Sequence, residues 1–280
     1  MTTGREPGTP RSAEPAKSVA VNGHAETSAT YDYGSIPVGY YDRIFHGPKG
    51  IRRLWHVSKF ERVLDCLPEA DGGSILDVGC FAGTFLSMIM RHRFERQLGV
   101  DILPEQIAYA RHHHGTAFRE FRQIDTIADI VKTGERFDVV TLIEVIEHLS
   151  AKDVAVLIEG IWKVLKPGGQ FVLTTPNYGS MWPVIELALD RLSDVKYEEQ
   201  HITKFSFFGL EDQLAKIYPV MWKRFTPTLK TTTHFLTPFM AGVSYELARG
   251  LSRALPHKSW AHPAGNLILT VLEKRADSEE

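Results

Sequence analysis

Four short apolar runs, spaced by segments of helical length, constrain this chain more than any other feature. SILDV (74–78), QLGVD (97–101), FDVVTLI (137–143) and QFVLTTP (170–176) have the length and near-continuous apolarity of buried strands. Between the first two, residues 84–93 place Phe85, Leu86, Ile89 and Met90 on one helical face. Pro104 and Glu105 suit the first turn of a helix running to about His113. Ser150 followed by Asp153 makes a capping-box-like start, and the stripe Val154, Leu157, Ile158, Ile161 and Leu165 then runs to the stop signal KPGG. Such alternation predicts an α/β fold: a doubly wound, mostly parallel sheet with helices on both faces.

The turn after the first strand predicts where a ligand lies. ILDVGCFAGTF sets Asp77 at the strand end and Gly79 and Gly83 in the turn, with a helix following. In a doubly wound sheet, ligands bind at the carboxyl ends of the strands, and glycine lets them lie against the backbone. A dinucleotide pyrophosphate would need G-x-G-x-x-G on a helix N-terminus. Here the pattern is G-x-x-x-G with Phe81 between, which disfavours a nicotinamide oxidoreductase. Asp101 in GVDI ends the second strand, an acidic position suited to ribose hydroxyls. Together these features predict an adenosine site without a strong phosphate cradle.

ILDVGCFAGTF, GVDILPEQIAYAR, FDVVTLIEVIEHL and VLKPGGQFVLTTPN, in this order, resemble the successive motifs of class I S-adenosylmethionine (SAM)-dependent methyltransferases over about residues 74–177. The resemblance implies a Rossmann-like methyltransferase fold, a seven-stranded sheet of order 3-2-1-4-5-7-6. It assigns residues 218–226 and 265–275 to the last two strands, the final one antiparallel. It also implies that Asp77, Gly79 and Gly83 line the methionine part of SAM, that Asp101 and Ile102 hold the ribose side, and that Asp125 faces the adenine amine. Asp125 is equally a helix N-cap before Thr126, and Phe81 departs from the commoner small residue at its position.

The fourth strand ends in TLIEVIEHLS. If the chain turns helically there, Glu144, Glu147 and His148 stand at i, i+3 and i+4 on one face. Carboxylates with an imidazole suit Mg, Mn or Zn, and His201 in QHITKF is the candidate fourth ligand. IEVIEHL with the later QHITKF is similar to the O-methyltransferases of ubiquinone biosynthesis and, more loosely, to small-RNA 3′-end 2′-O-methyltransferases. That resemblance implies a divalent cation on Glu144, Glu147, His148 and His201. The alternative is a metal-free site in which His148 is the general base or a structural hydrogen bonder and Glu147 serves the helix start.

Composition narrows the rest. The 280 residues include 32 Lys and Arg against 34 Asp and Glu, a formal charge of −2, so no basic surface predicts nucleic acid as a partner. The cationic stretch 51–62 mixes its charges with Leu54, Trp55, Val57 and Phe60 and predicts one helix with a wet face. HHH (112–114) falls at a predicted helix end, where imidazoles suit the dipole as well as a metal. Two cysteines, no membrane-span-length apolar run and no apolar secretory core predict a soluble cytoplasmic protein.

Residues 1–30, rich in Pro, Gly, Ser, Thr and Ala, predict a disordered tail ahead of a single domain, 31–280. That domain is expected to carry a cap (31–70), with Tyr40, Tyr41 and Trp55 either packed or closing over the ligand, and insertions at 177–200 and 227–264. In the second insertion Met240, Val243, Leu247, Leu251 and Ala254 recur at helical spacing, as a helix packed on the core, a substrate lid or a membrane-surface helix. The function expected is O-methylation of a small-molecule intermediate such as a phenol, quinone precursor or sugar hydroxyl. RNA 3′-end methylation and a non-catalytic cofactor-binding regulatory subunit are the alternatives.

Overall fold

A computed structural model describes residues 36–69, 72–192, 201–254 and 263–276, all within the unit Asp32–Glu280. The expected tail, 1–30, lies outside the described residues, as does part of each expected insertion. In chain order the elements are α1 (Tyr40–His46), α2 (Ile51–Cys66), β1 (Ser74–Val78), α3 (Thr84–Ser87), β2 (Arg96–Asp101), α4 (Pro104–His114), β3 (Arg119–Gln123), α5 (Ile127–Thr133), β4 (Phe137–Ile143), α6 (Ala151–Val164) and β5 (Leu165–Pro176). They continue with α7 (Trp182–Leu192), α8 (Leu210–Ile217), α9 (Met221–Arg224), β6 (Phe225–Thr233), α10 (Thr237–Met240), α11 (Tyr245–Ala254) and β7 (Leu267–Lys274).

The seven strands pair in the order β3-β2-β1-β4-β5-β7-β6, with β7 antiparallel to both neighbours and the other pairs parallel. This is the expected topology. Alternate residues of the central strands feed two cores. Leu76, Val140 and Leu142 pack with Val154, Ile158 and Ile161 of α6 and Leu214 of α8, while Ile75 and Val139 pack with Val63 of α2, Phe85 of α3 and Ile107 of α4. Ile158 is fully buried, so truncating it to Ala would cost about 2–5 kcal/mol. Ser150 caps α6 as its sequence predicts, accepting from the Asp153 N–H at 3.2 Å.

Five elements differ from expectation. The helix expected over 84–93 stops at Ser87, and Met90 is exposed. The reason is capture of the Ile89 carbonyl, which accepts from the buried side chains of Gln97 (3.2 Å) and Arg119 (2.8 Å). The segment 218–226, expected as a strand, holds helix α9, and the strand follows as β6. Arg224 ends that helix with its guanidinium 3.9 Å over the Trp162 ring, and the β-branched run Thr231, Thr232 and Thr233 is buried as strand. The second insertion therefore begins after Thr233.

On α11 Tyr245, Ala248 and Ser252 are buried, whereas Leu247 (58%) and, just before the helix, Val243 (95%) face outward, so the apolar stripe is not the face packed on the core, the first of its three readings. Helix α2 forms as expected, but Lys59 and Arg62 are buried instead of wet, and Arg62 donates to the Ser252 carbonyl of α11. The N-cap of α5 is Thr126, accepting from the Ala128 N–H, so the capping alternative for Asp125 does not hold. Among the described residues no helix is long and apolar enough to cross a membrane.

Candidate functional site

The carboxyl ends of β1, β2 and β4 border one cavity of about 590 Å³, roofed by α1 and α2. Asp77, Gly79, Asp101, Ile102, Asp125, Glu144, Glu147, His148 and His201 all line it. Gly83 does not. It starts α3 at φ 78°, where a Cβ would lie 2.6 Å from the Phe121 ring, so its glycine serves packing behind the wall.

Gly79 has φ 74°, and a Cβ there would meet Val145 Cγ2 at 2.5 Å, so the loop after β1 can touch the end of β4 only as glycine. The Gly79 and Cys80 N–H groups donate to the Val100 carbonyl at 2.8 and 3.0 Å, which closes the turn onto β2. Phe81 takes φ 47°, a sparsely populated conformation for a side-chain-bearing residue. Its N–H donates to Asp101 Oδ2 (2.8 Å), and the Leu103 N–H donates to Oδ1 (3.0 Å). Two backbone donors thus fix the Asp101 carboxylate on the cavity wall. Asp77, paired across the sheet with Thr141, accepts from its hydroxyl at 2.6 Å. Burial pushes the Asp77 carboxyl up to about 7, against the pull of that hydrogen bond.

Helix α1 covers this end. Asp42 is buried and accepts from Thr84 Oγ1 (2.7 Å) and Tyr109 Oη (2.9 Å), with His114 Nε2 at 3.0 Å. His114 is the last of the three consecutive histidines, and here it ties the roof to α4. The tie places Tyr41 edge-on to Phe81, with ring centroids 5.2 Å apart. Trp55 of α2 packs on Trp182 of α7 at 5.4 Å and also lines the cavity.

At the end of β4 the expected four-residue group divides. Glu144 has φ 53°, so the chain is not helical there and its side chain does not join the face of Glu147 and His148. It pairs instead with the Lys59 ammonium, buried on α2. Burial opposes its charge, but Lys59 holds the Glu144 carboxyl below the usual carboxylate range. Beside the pair, burial pushes His56 down to about 3 and His234 to about 4. A metal set that includes Glu144 is therefore not what this structure assembles.

A 3₁₀ turn, Ile146–His148, follows. Glu147 is buried, and its Oε2 accepts from Thr175 Oγ1 at 3.0 Å while Oε1 has no hydrogen-bond partner among the described residues. Burial, with the Glu144 charge adding to it, pushes this carboxyl well up. The donor atoms of Glu147, His148 and His201 lie within 4.8 Å of one another, the one such cluster among the described residues. A buried carboxylate with one oxygen lacking a donor among the described residues, clustered with two imidazoles, is the environment a divalent cation fits.

His201 is held from behind. Its Nδ1 lies 2.5 Å from Glu186 Oε1 and 2.7 Å from Tyr178 Oη, and Tyr178 also donates to Glu186 at 2.7 Å. Burial alone would raise the Glu186 carboxyl, but these hydrogen bonds hold it below its usual range. Sequence reasoning missed Lys59, Glu186 and Tyr178. Lys59 had a signal, since Trp55, His56 and Lys59 share one face of α2 at i, i+1 and i+4. Glu186 had none, because its partner is 15 residues away.

Residues 52–217, more than half of the 280, match the family described as a methyltransferase domain. The chain belongs to this methyltransferase family. Among curated relatives, the ubiquinone biosynthesis O-methyltransferase of Leptothrix cholodnii is 36% identical over 110 residues, covering 38% of this chain and 46% of the relative. That of Pseudomonas fluorescens is 37% identical over 109 residues, covering 38% and 45%. The match thus spans about half the length of these curated relatives.

Two solved structures share the methyltransferase fold. A SAM-dependent methyltransferase from Thermotoga maritima aligns with TM-score 0.57 at 18% identity, covering 85% of this chain and 94% of that one. Another from Archaeoglobus fulgidus gives 0.53 at 17%, covering 87% and 100%.

Proposed function

We propose that this methyltransferase-family protein transfers the SAM methyl group to a hydroxyl of a small-molecule intermediate, a phenol or quinone precursor in the first instance. The observation that carries the proposal is the placement of the Glu147, His148 and His201 cluster on the same cavity as Asp101 and the Gly79 turn. The ubiquinone-biosynthesis relatives support an oxygen acceptor, and the near-neutral charge favours a small molecule over RNA.

In this reading Asp101 receives the ribose hydroxyls, Gly79 lets the methionine portion lie on the backbone, and Asp77 borders it from β1. Tyr41 on the α1 roof and Phe81 in the turn after β1 exclude water. Trp55 and Trp182 flank the acceptor. Holding donor and acceptor in line can supply up to roughly 7–11 kcal/mol of the barrier reduction.

The acceptor must also lose a proton, and a phenol with a pKa of ~10 is mostly protonated at neutral pH. Glu147, His148 and His201 would hold a divalent cation, which when bound lowers the hydroxyl pKa and anchors its oxygen. Without it, His148 is the base that remains on the wall.

The test is methyl transfer from labelled SAM to a panel of catechols and dihydroxybenzoates, with the product identified by mass spectrometry. An O-methyl ether formed with Mg²⁺, Mn²⁺ or Zn²⁺ and lost on chelation is expected. Chelator-resistant turnover would leave His148 as a metal-free base. Failure to bind S-adenosylhomocysteine (SAH) would overturn the assignment as a whole.

A further inference from the structure

We propose that Glu186 is a positioning residue for His201, fixing its imidazole so that Nδ1 faces the helix α7 side and the other ring nitrogen is the one presented towards Glu147 and His148. The inference deepens the cation reading above and, in its cation arm, rests on it.

The geometry is that of a carboxylate backing an imidazole. Glu186 projects from α7, and its side chain and that of His201 are 5% and 4% exposed. Two titratable side chains are rarely buried together without a specific pairing, since each loses its hydration. Here the pairing is a 2.5 Å contact between His201 Nδ1 and Glu186 Oε1. Tyr178 donates to the same Oε1 at 2.7 Å, which anchors the carboxylate itself.

A carboxylate can only accept, so the proton on this edge of the ring belongs to Nδ1. A ligand atom of each of Glu147, His148 and His201 lies within 4.8 Å of the others. With Nδ1 committed to Glu186, Nε2 is the nitrogen we assign as turned to that cluster. The His148 and His201 ring centroids are 5.0 Å apart, so the two imidazoles are immediate neighbours. Carboxylates that hold a ligating imidazole in this way set its tautomer and orientation, and losing one typically weakens metal affinity about 10–100-fold.

The experiment compares the 280-residue chain with its Glu186→Ala, Glu186→Gln and Tyr178→Phe variants. Mn²⁺ affinity is measured by calorimetry, SAH affinity serves as the control for folding, and ¹⁵N chemical shifts of the His201 ring report its tautomer without any cation. The wild type should show Nδ1–H. Glu186→Ala should mix the tautomers and lose roughly 10–100-fold in Mn²⁺ affinity with SAH affinity unchanged. Glu186→Gln keeps an acceptor oxygen, so it should recover most of both losses.

A wild-type His201 in the Nε2–H form would overturn the proposal, as would unaltered tautomer and Mn²⁺ affinity in Glu186→Ala. If the wild type binds no Mn²⁺, the cation reading fails by itself, and the ring shifts still decide whether Glu186 positions His201.

Discussion

Lys59 on helix α2 and Glu144 at the end of β4 form an ion pair on the cavity wall, and this contact separates Glu144 from the Glu147, His148 and His201 cluster. Lys59→Met alone should lower unfolding free energy by about 3 kcal/mol, because it strands a largely buried carboxylate. The double variant Lys59→Met/Glu144→Gln should restore most of that loss in urea titrations. Glu144→Gln should leave Mn²⁺ affinity unchanged, whereas a tenfold loss would return Glu144 to the ligand set.

Asp77 makes the apo protein sensitive to pH. Its folded-state carboxyl is raised from 3.8 to about 7, so its contribution to stability is complete below 3.8 and is lost as pH rises through about 7. Asp77→Asn removes that loss. Its Tm should match the wild type near pH 4 and exceed it at pH 8, with an upper limit of about 4 kcal/mol. Equal Tm values at both pH values would refute the shift.

Asp101→Ala should weaken SAH binding at least tenfold by calorimetry, since hydrogen bonds to a charged acceptor contribute about 1.5–3 kcal/mol each. Asp125 is exposed at the rim, so Asp125→Ala should cost only severalfold. Comparable losses in the two variants would contradict the assignment of the ribose to Asp101.

Asp42 ties the roof to the body of the protein through Thr84, Tyr109 and His114. Asp42→Ala leaves three partners without their acceptor and should lower stability by about 2–3 kcal/mol. Because α1 carries Tyr41 over the cavity, SAH should also dissociate faster in stopped flow. An unchanged off-rate would mean that α1 does not close over the ligand.

The strand-helix alternation was legible in local signals, namely the strand-length apolar runs, the Ser150 cap and the Gly79 turn, whereas the strand order was read through the family resemblance. What failed depended on long-range contacts. The helix after Gly83 is cut short by Gln97 and Arg119, which the segment itself does not encode. Glu144 was grouped with Glu147 and His148 by assuming helical spacing, and its positive φ defeats that. The threonine-rich β6 was misplaced because its polar side chains carry little apolar signal. His201 was legible through resemblance, while Glu186, which holds it, was visible only once the chain was folded.

The central claim is that one cavity brings the methyl donor to a cation held by Glu147, His148 and His201. An anomalous difference map from crystals soaked with SAH and Mn²⁺ tests it most directly. A single strong peak bounded by those three side chains, away from Glu144 and with the SAH ribose on Asp101, is the predicted result. A peak elsewhere, no peak, or SAH bound away from Asp101 would contradict it.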